Sequence, residues 1–340
     1  MTKIALVGEA WGEAEERERA PFVGAAGYQL NSLLKDAGIP RYECFLTNVF
    51  NLRPKPTNKI DNLCAKKADV RHNLPALRPG HYIRDEFLPE LDRLYREIGA
   101  LRPNLVVALG GTASWALLHD SRITKLRGAV ATSTVLPGQK VLPTFHPSYI
   151  LQGSYDQRPV VVLDLLKAKR EAEFPEVRRP HRTIYIEPLL SEIEWFINTF
   201  IMPSKCISVD IETVERIITC IGFSPSKEIA MVIPFRDLRK PSKTYWGSLD
   251  AEVKAWALVR KILDLPIPKV FQNGLYDMHF LWKIYGIRPR AVEHDTMLLH
   301  HALQPESQKS LDFLGSVYTD EAAWKLVMRS KNKSTIKREE

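Results

Sequence analysis

The sequence predicts an α/β protein of two domains, and three observations carry that expectation. Short apolar runs alternate with helical patterns through the first half, the signature of a mainly parallel sheet flanked by helices. The segment Lys167–Arg182 is crowded with basic residues and proline, and composition resets after it. The second half then opens a new set of strands, several of them arranged as a meander. At 340 residues and 45% hydrophobic, the chain is long enough for two packed cores.

The elements follow in order. Ile4–Val7, Cys44–Thr47, Leu105–Leu109 and Val141–Pro143 read as buried strands, with helices around Tyr28–Leu34, Glu86–Ile98 and Thr112–Leu118. The polar, basic stretch from Arg53 to Arg84 reads as a long surface excursion. Beyond a linker at 173–182, strands are expected at Thr183–Ile186, Cys206–Glu212, Ile217–Phe223, Ile229–Ile233 and Lys269–Phe271. Helices are expected near Leu190–Phe200, Ala251–Leu263 and Tyr276–Ile284. Domain boundaries of 1–172 and 183–340 follow.

A net charge of +8 favours a polyanionic partner, with nucleic acid foremost. No apolar run approaches the roughly 20 residues of a membrane span, and the amino terminus has no signal-peptide core. Cys44, Cys64, Cys206 and Cys220 form no CxxC pair, which fits reduced thiols in a cytoplasm.

Chemistry concentrates in a few segments. Gly8-Glu9-Ala10-Trp11-Gly12 follows the first strand, and Pro21-Phe22-Val23-Gly24 follows soon after. Loops at the carboxyl ends of parallel strands are where open α/β sheets bind ligands. Thr47-Asn48 ends the second strand, and Phe145-His146-Pro147-Ser148 follows the fourth. Together these segments resemble the uracil-DNA glycosylase superfamily, closest to its family 4 branch. The resemblance implies a three-layer α/β/α domain that hydrolyses the N-glycosidic bond of uracil in DNA without a metal. It implies a stacking role for Phe22, edge reading by Asn48, and stabilisation of the uracil anion by His146. Glu9 aligns water, with Glu15 in reserve, while Gly8 and Ala10 border the base. Trp11 stands where relatives usually carry proline, and Arg19 where they carry glycine. Relatives also hold an iron–sulfur cluster on four cysteines, and the spacing here predicts none.

In the second half, Asp210-Ile211-Glu212 on a strand puts two carboxylates on one face. Asn273-Gly274-Leu275-Tyr276-Asp277 at a strand-to-helix junction offers a third. Such carboxylates suit Mg²⁺ or Mn²⁺. These segments, with His294–Met297 and Ser310–Leu314, resemble the ribonuclease-H-like DEDD 3′–5′ exonucleases of bacterial-type DNA polymerases. The third motif, Tyr or His before Asp, is not visible: Asp320 follows Tyr318 too closely, and Asp295 and Asp312 are the substitutes in principle. A truncated exonuclease-like module is therefore expected, inactive alone or completed by another polypeptide.

DNA contacts are expected from Arg53, Lys55, Lys59, Lys66 and Lys67, from Ser148, and from the linker arginines Arg178 and Arg179. The fusion looks phage- or bacterium-like, which places it in a bacterial cytoplasm or an infected host. Two rival readings remain: a non-catalytic DNA-binding subunit docking onto a separately encoded polymerase, and an exonuclease whose glycosylase fold only recognises DNA.

Overall fold

The computed structural model describes residues 3–178, 181–237 and 239–321. The chain divides into two units, Met1–Arg179 with Asp312–Glu340, and Pro180–Leu311.

In the first unit, strand β1 (Ile4–Ala10) leads into α1 (Glu13–Glu18) and α2 (Ala25–Asp36), and then β2 (Cys44–Phe50). The excursion has little regular structure beyond a two-residue ladder, β3 (Cys64–Ala65) with β4 (Tyr82–Ile83). Next come α3 (Leu88–Leu101), β5 (Leu105–Leu109), α4 (Gly111–Leu118), α5 (Ile123–Leu126), β6 (Ala131–Thr132), β7 (Lys140–Thr144), α6 (Pro147–Leu151) and α7 (Arg158–Glu171). The sheet runs β2-β1-β5-β7-β6, parallel except for the edge strand β6. Because β1 is flanked by β2 on one side and β5 on the other, the strand order reverses there, and a crevice opens at that switch point. Separate apolar clusters cover the sheet's two faces. Leu6, Leu30, Leu34 and Leu165 belong to one, and Val7, Leu94, Ile98 and Trp115 to the other. Alternating residues of β1 thus feed both layers.

Two buried cations of this unit are paired with carboxylates. Arg127 and Asp164 form an ion pair that also receives the Thr144 hydroxyl at 2.7 Å. Lys140, fully buried on β7, donates to Glu171 Oε2 at 2.9 Å and to the carbonyls of Glu171, Phe174 and Glu176. Breaking such a pair strands a buried charge and costs about 3–5 kcal/mol.

The second unit begins with β8 (Thr183–Ile186) and α8 (Leu190–Phe196), which a π-helical turn extends to Ile201. Then follow β9 (Ile207–Val214), β10 (Ile217–Ser224), β11 (Ile229–Pro234), α9 (Leu249–Asp264), β12 (Lys269–Phe271), α10 (Gly274–Tyr285), β13 (Val292–Asp295) and α11 (Thr296–Leu303). The sheet order is β13-β12-β9-β10-β11-β8. The expected meander is present as antiparallel β9, β10 and β11, while β12 and β13 extend the sheet in parallel. On β9 the alternation is strict: Ile207, Val209 and Ile211 are buried and Asp210 and Glu212 exposed.

A last helix, α12 (Leu311–Tyr318), lies in sequence beyond β13 yet packs with the first unit. Phe313 and Leu314 join a core cluster there, and Lys167 donates to the carbonyls of Ser316 at 2.6 Å and Thr319 at 2.7 Å.

Candidate active sites

The carboxyl ends of β1, β2, β5 and β7 surround a cleft of about 550 Å³ lined by Glu9, Trp11, Phe22, Asn48, Gly110 and His146, among others. Gly8 pairs with Asn48 across the β1–β2 ladder. A Cβ on Gly8 would lie 2.2 Å from Asn48 Oδ1 and 2.5 Å from the Phe22 ring, so only glycine lets the three approach. Phe22 adopts a left-handed φ of 56°. Arg41 fixes that turn by donating to the Phe22 carbonyl at 3.0 Å, and Gly27 gives the same carbonyl room, since a Cβ there would sit 1.9 Å from it. The buried Phe22 ring stacks beside His146, with centroids 6.1 Å apart.

Asn48 is buried, and its Nδ2 has no hydrogen-bond partner among the described residues. A buried donor left open costs about 1–3 kcal/mol, so the site forgoes stability to hold it. Its backbone is clamped from α3: Arg93 donates to the carbonyls of Asn48 at 2.7 Å and Val49 at 3.1 Å, and pairs with Glu90 and Glu97. Thr47 completes the clamp by donating to Glu97 at 2.9 Å.

His146 caps α6 and accepts the Ser148 N–H on Nδ1 at 3.2 Å, with the Ser148 hydroxyl 2.7 Å from the same nitrogen. Nδ1 is thus an acceptor, and the ring's proton sits on Nε2. Part of the ring's surface is open to the cleft. Even so, burial among its neighbours lowers its pKa to about 4 against the opposing charge of Glu15. The ring is neutral at physiological pH.

Glu9 accepts the Thr112 hydroxyl across the β1–β5 switch point. Burial raises its pKa, against that hydrogen bond and the charge of Arg78. Glu15 is held otherwise: its carboxylate accepts the N–H groups of Gly12 at 3.1 Å and Gly24 at 2.9 Å. It ties the first loop to the α2 entrance, a structural task the sequence reading did not foresee. Ala10 pairs with Phe50 just beyond the ladder's Gly8.

In the second unit β12 ends at Phe271, which leaves the β9 N–H of Ile211 without a ladder partner from that side. Asp277 on α10 accepts it at 3.0 Å and is thereby buried beside β9. Burial, with the charges of Asp210 and Asp295 adding to it, raises the Asp277 pKa to about 7. Asp295 accepts the N–H groups of Asn273, Gly274 and Met297, which makes it a cap and not a substitute ligand. Asp312 pairs with Lys125, and Asp320 lies 3.8 Å from Arg170, both within the first unit. None of the three supplies a third motif.

Two family models divide the chain on either side of the linker. The family model of the uracil DNA glycosylase superfamily matches residues 1–168, and that of a 3′–5′ exonuclease matches residues 197–340. The type-4 uracil-DNA glycosylase of Thermotoga maritima is 36% identical over 171 residues, which span 49% of this chain and 77% of that protein. The chain belongs to the uracil-DNA glycosylase superfamily. The type-4 enzyme of Pyrobaculum aerophilum is 29% identical over 155 residues, 44% of this chain and 68% of its own. A DNA polymerase of Bacillus phage SP01 is 22% identical over 329 residues, covering 88% of this chain and 32% of that polymerase. The fold is a glycosylase domain followed by a ribonuclease-H-like exonuclease domain.

An iron–sulfur cluster of the Cys₄ kind does not fit the glycosylase unit, which has only Cys44, on β2, and Cys64, on β3. In the exonuclease unit, three carboxylates are the hard oxygen donors that Mg²⁺ and Mn²⁺ take, and a buried acid at about 7 is one a cation would relieve. Their ligand atoms do not form a group within 4.8 Å, however. Among the described residues the one such group of three is Asp61, Cys64 and His81.

The expected DNA contacts divide in two. Arg53 and Lys55 pair with Glu13 and Glu16, Lys67 donates to the His72 carbonyl, and Arg178 pairs with Glu176. Lys59 and Lys66 are exposed, and Arg179 lies outside the described residues. Ser148 serves His146 through both its hydroxyl and its N–H. Thr112, Gly110 and Arg78 were missed. The Gly110-Gly111-Thr112 run after β5 was a readable signal, because it is a third glycine-marked loop at a strand's carboxyl end.

Proposed function

We propose that the first unit hydrolyses the N-glycosidic bond of uracil in DNA, and that it does so in repair or replication. The observation that carries this reading is the buried, unpartnered amide of Asn48 at the cleft. An extruded base would bring the missing acceptor, a uracil carbonyl, while its face stacks on Phe22. The C1′–N1 bond breaks with its electron pair leaving on the base. The neutral His146 offers Nε2–H to the oxygen where that negative charge collects. Glu9, steadied by Thr112, faces the developing positive charge of the sugar and orients the water that adds to C1′. The proton that the water loses neutralises the uracil anion, so free uracil and an abasic site result. Incubation with uracil-containing single- and double-stranded oligonucleotides followed by alkali tests it; strands that stay whole would refute it.

For the second unit we propose a partial metal site. Asp210, Glu212 and Asp277 would hold Mg²⁺ or Mn²⁺, which activates water for phosphodiester cleavage when bound. Among the described residues no third motif joins these three, and we expect this stretch to digest 3′ ends weakly. The similarity to a phage DNA polymerase along 88% of this chain supports work beside a polymerase, whether on the same polypeptide or a separate one.

A further inference from the structure

We propose that Asp61, Cys64 and His81 form a zinc-class metal site that fastens the excursion bordering the glycosylase cleft. One ligand atom from each lies within 4.8 Å of the other two, and Asp61 Oδ1 is 3.5 Å from His81 Nδ1. Zinc bonds of about 2.0–2.3 Å at a tetrahedral centre separate ligands by roughly 3.3–3.7 Å, so closure needs movements of about 1 Å. A carboxylate, a thiolate and an imidazole are a borderline-soft set, which suits Zn²⁺ over the hard Mg²⁺. Three protein ligands leave the fourth position to water.

The backbone supports the arrangement. Asp61 lies on a short 3₁₀ turn (Ile60–Leu63) that runs directly into Cys64 on β3. Cys64 faces Ile83 across the β3–β4 ladder, and His81 sits just before β4. The turn Arg78-Pro79-Gly80-His81 is closed by the His81 N–H on the Arg78 carbonyl at 2.9 Å, with Gly80 at a φ of 78°. The three ligands therefore meet where the two ends of the 66–80 loop return to one place. That loop has few regular elements of its own, and segments with little core are where metals serve as staples. Ion pairing explains Asp61 between Arg78 and His81, and Cys64, packed in the apolar core with its thiol donating to the Ile60 carbonyl at 3.6 Å, places a soft donor at the third vertex.

The site also borders the chemistry. Arg78, whose Nη1 donates to Asp61 at 3.3 and 3.2 Å, lines the cleft, as does Asn58. The charges of Arg78 and Asp61 both act on Glu9. A bound metal would hold that wall of the cleft in place.

Cobalt reports on this directly, because a thiolate on Co²⁺ gives a charge-transfer band that oxygen ligands do not. Full-length protein stripped with chelator is titrated with Co²⁺, then with Zn²⁺. The band should saturate at one ion per chain and be bleached by Zn²⁺. Zn²⁺ in hundredfold excess over its Kd should raise the melting temperature by about 5 °C or more. Cys64→Ser should abolish the band, and His81→Ala, at an exposed position, should weaken binding more than about tenfold. Cys206→Ser and Asp210→Ala should leave the band intact, since an adventitious thiol and the exonuclease carboxylates are thereby excluded. If Cys64→Ser does not fold, the His81→Ala titration decides. Cobalt binding without the band, a band that survives Cys64→Ser, or unchanged affinity in His81→Ala would overturn the site. None of these readouts depends on uracil release.

Discussion

In the glycosylase unit the groups that face the cleft are buried or half-buried: Asn48 with an open amide, His146 kept neutral, Glu9 with its pKa raised. In the exonuclease unit two of the three carboxylates stand exposed on β9, and only Asp277 is buried. The difference tracks the charge each reaction handles. Base excision develops one anion and one cation on the substrate, so fixed donors and one carboxylate suffice. Phosphodiester cleavage brings a polyanion to a cluster of acids, and those acids need a cation before the substrate can approach. A preorganised site can be complete without a ligand, while a carboxylate site cannot.

The largest effect that would test this contrast is on uracil release. His146→Ala should slow it by a factor of roughly 100–1000, as for loss of an oxyanion donor, while excess EDTA, which removes no group from the chemistry itself, slows it far less. The same assay against pH sharpens the point. With a folded pKa of about 4, His146 stays neutral as pH falls through 6.5, so the rate should show no step there that tracks His146. A step near 6.5 that vanishes in His146→Ala would mean the ring is charged in the working enzyme.

Next in size is Gly8→Ala. The added methyl meets Asn48 and Phe22 together, so uracil release should fall tenfold or more, a loss of about 1.4 kcal/mol in transition-state binding. Melting should drop with it, by about 1–3 kcal/mol of stability. Wild-type turnover in this variant would show that the close approach is not needed.

Asp277→Asn addresses the other unit. An acid raised to about 7 on folding favours the folded state below its unfolded value near 4 and loses that advantage as pH rises through 7. The asparagine variant keeps the oxygen that accepts from Ile211 without the charge. It should therefore melt like the parent near pH 4, pull ahead as pH rises, and exceed it at pH 8 by on the order of 2 kcal/mol. Mn²⁺ should stabilise the parent at pH 8 and not the variant. Equal melting at both values would mean that Asp277 ionises normally.

The smallest effect concerns DNA docking. Lys59→Ala and Lys66→Ala should each lower the slope of log affinity against log salt by about one unit. Arg53→Ala should do less, because its guanidinium already faces Glu13 and Glu16. Salt dependence unchanged in the double lysine variant would show that neither lysine touches a phosphate.

Much of the glycosylase cleft was legible because its residues sit at fixed offsets from buried strands. An apolar run ending in Gly-Glu, Thr-Asn or Phe-His announces a loop at a strand's carboxyl end, and parallel strands bring those ends together. Glu15 also has a structural task. A carboxylate near a glycine-rich loop reads as chemistry, but it also suits two backbone N–H groups, and Glu15 takes Gly12 and Gly24. Asp295 repeats the lesson as a helix cap. Neither could be told from a catalytic acid by residue type alone.

The sequence by itself determined the strands, the two cores and the order of the cleft's motifs, because periodicity and glycine placement act within a few residues. Only the tertiary structure decided what each polar atom meets. Thr112 reaches Glu9 from 103 positions away, and Arg93 clamps the carbonyl of Asn48 from 45 positions away. The return of α12 to the first unit, and the meeting of Asp61, Cys64 and His81, are of the same kind. Hydrogen bonds and ligand sets depend on distances across the fold, and no local pattern encodes those distances.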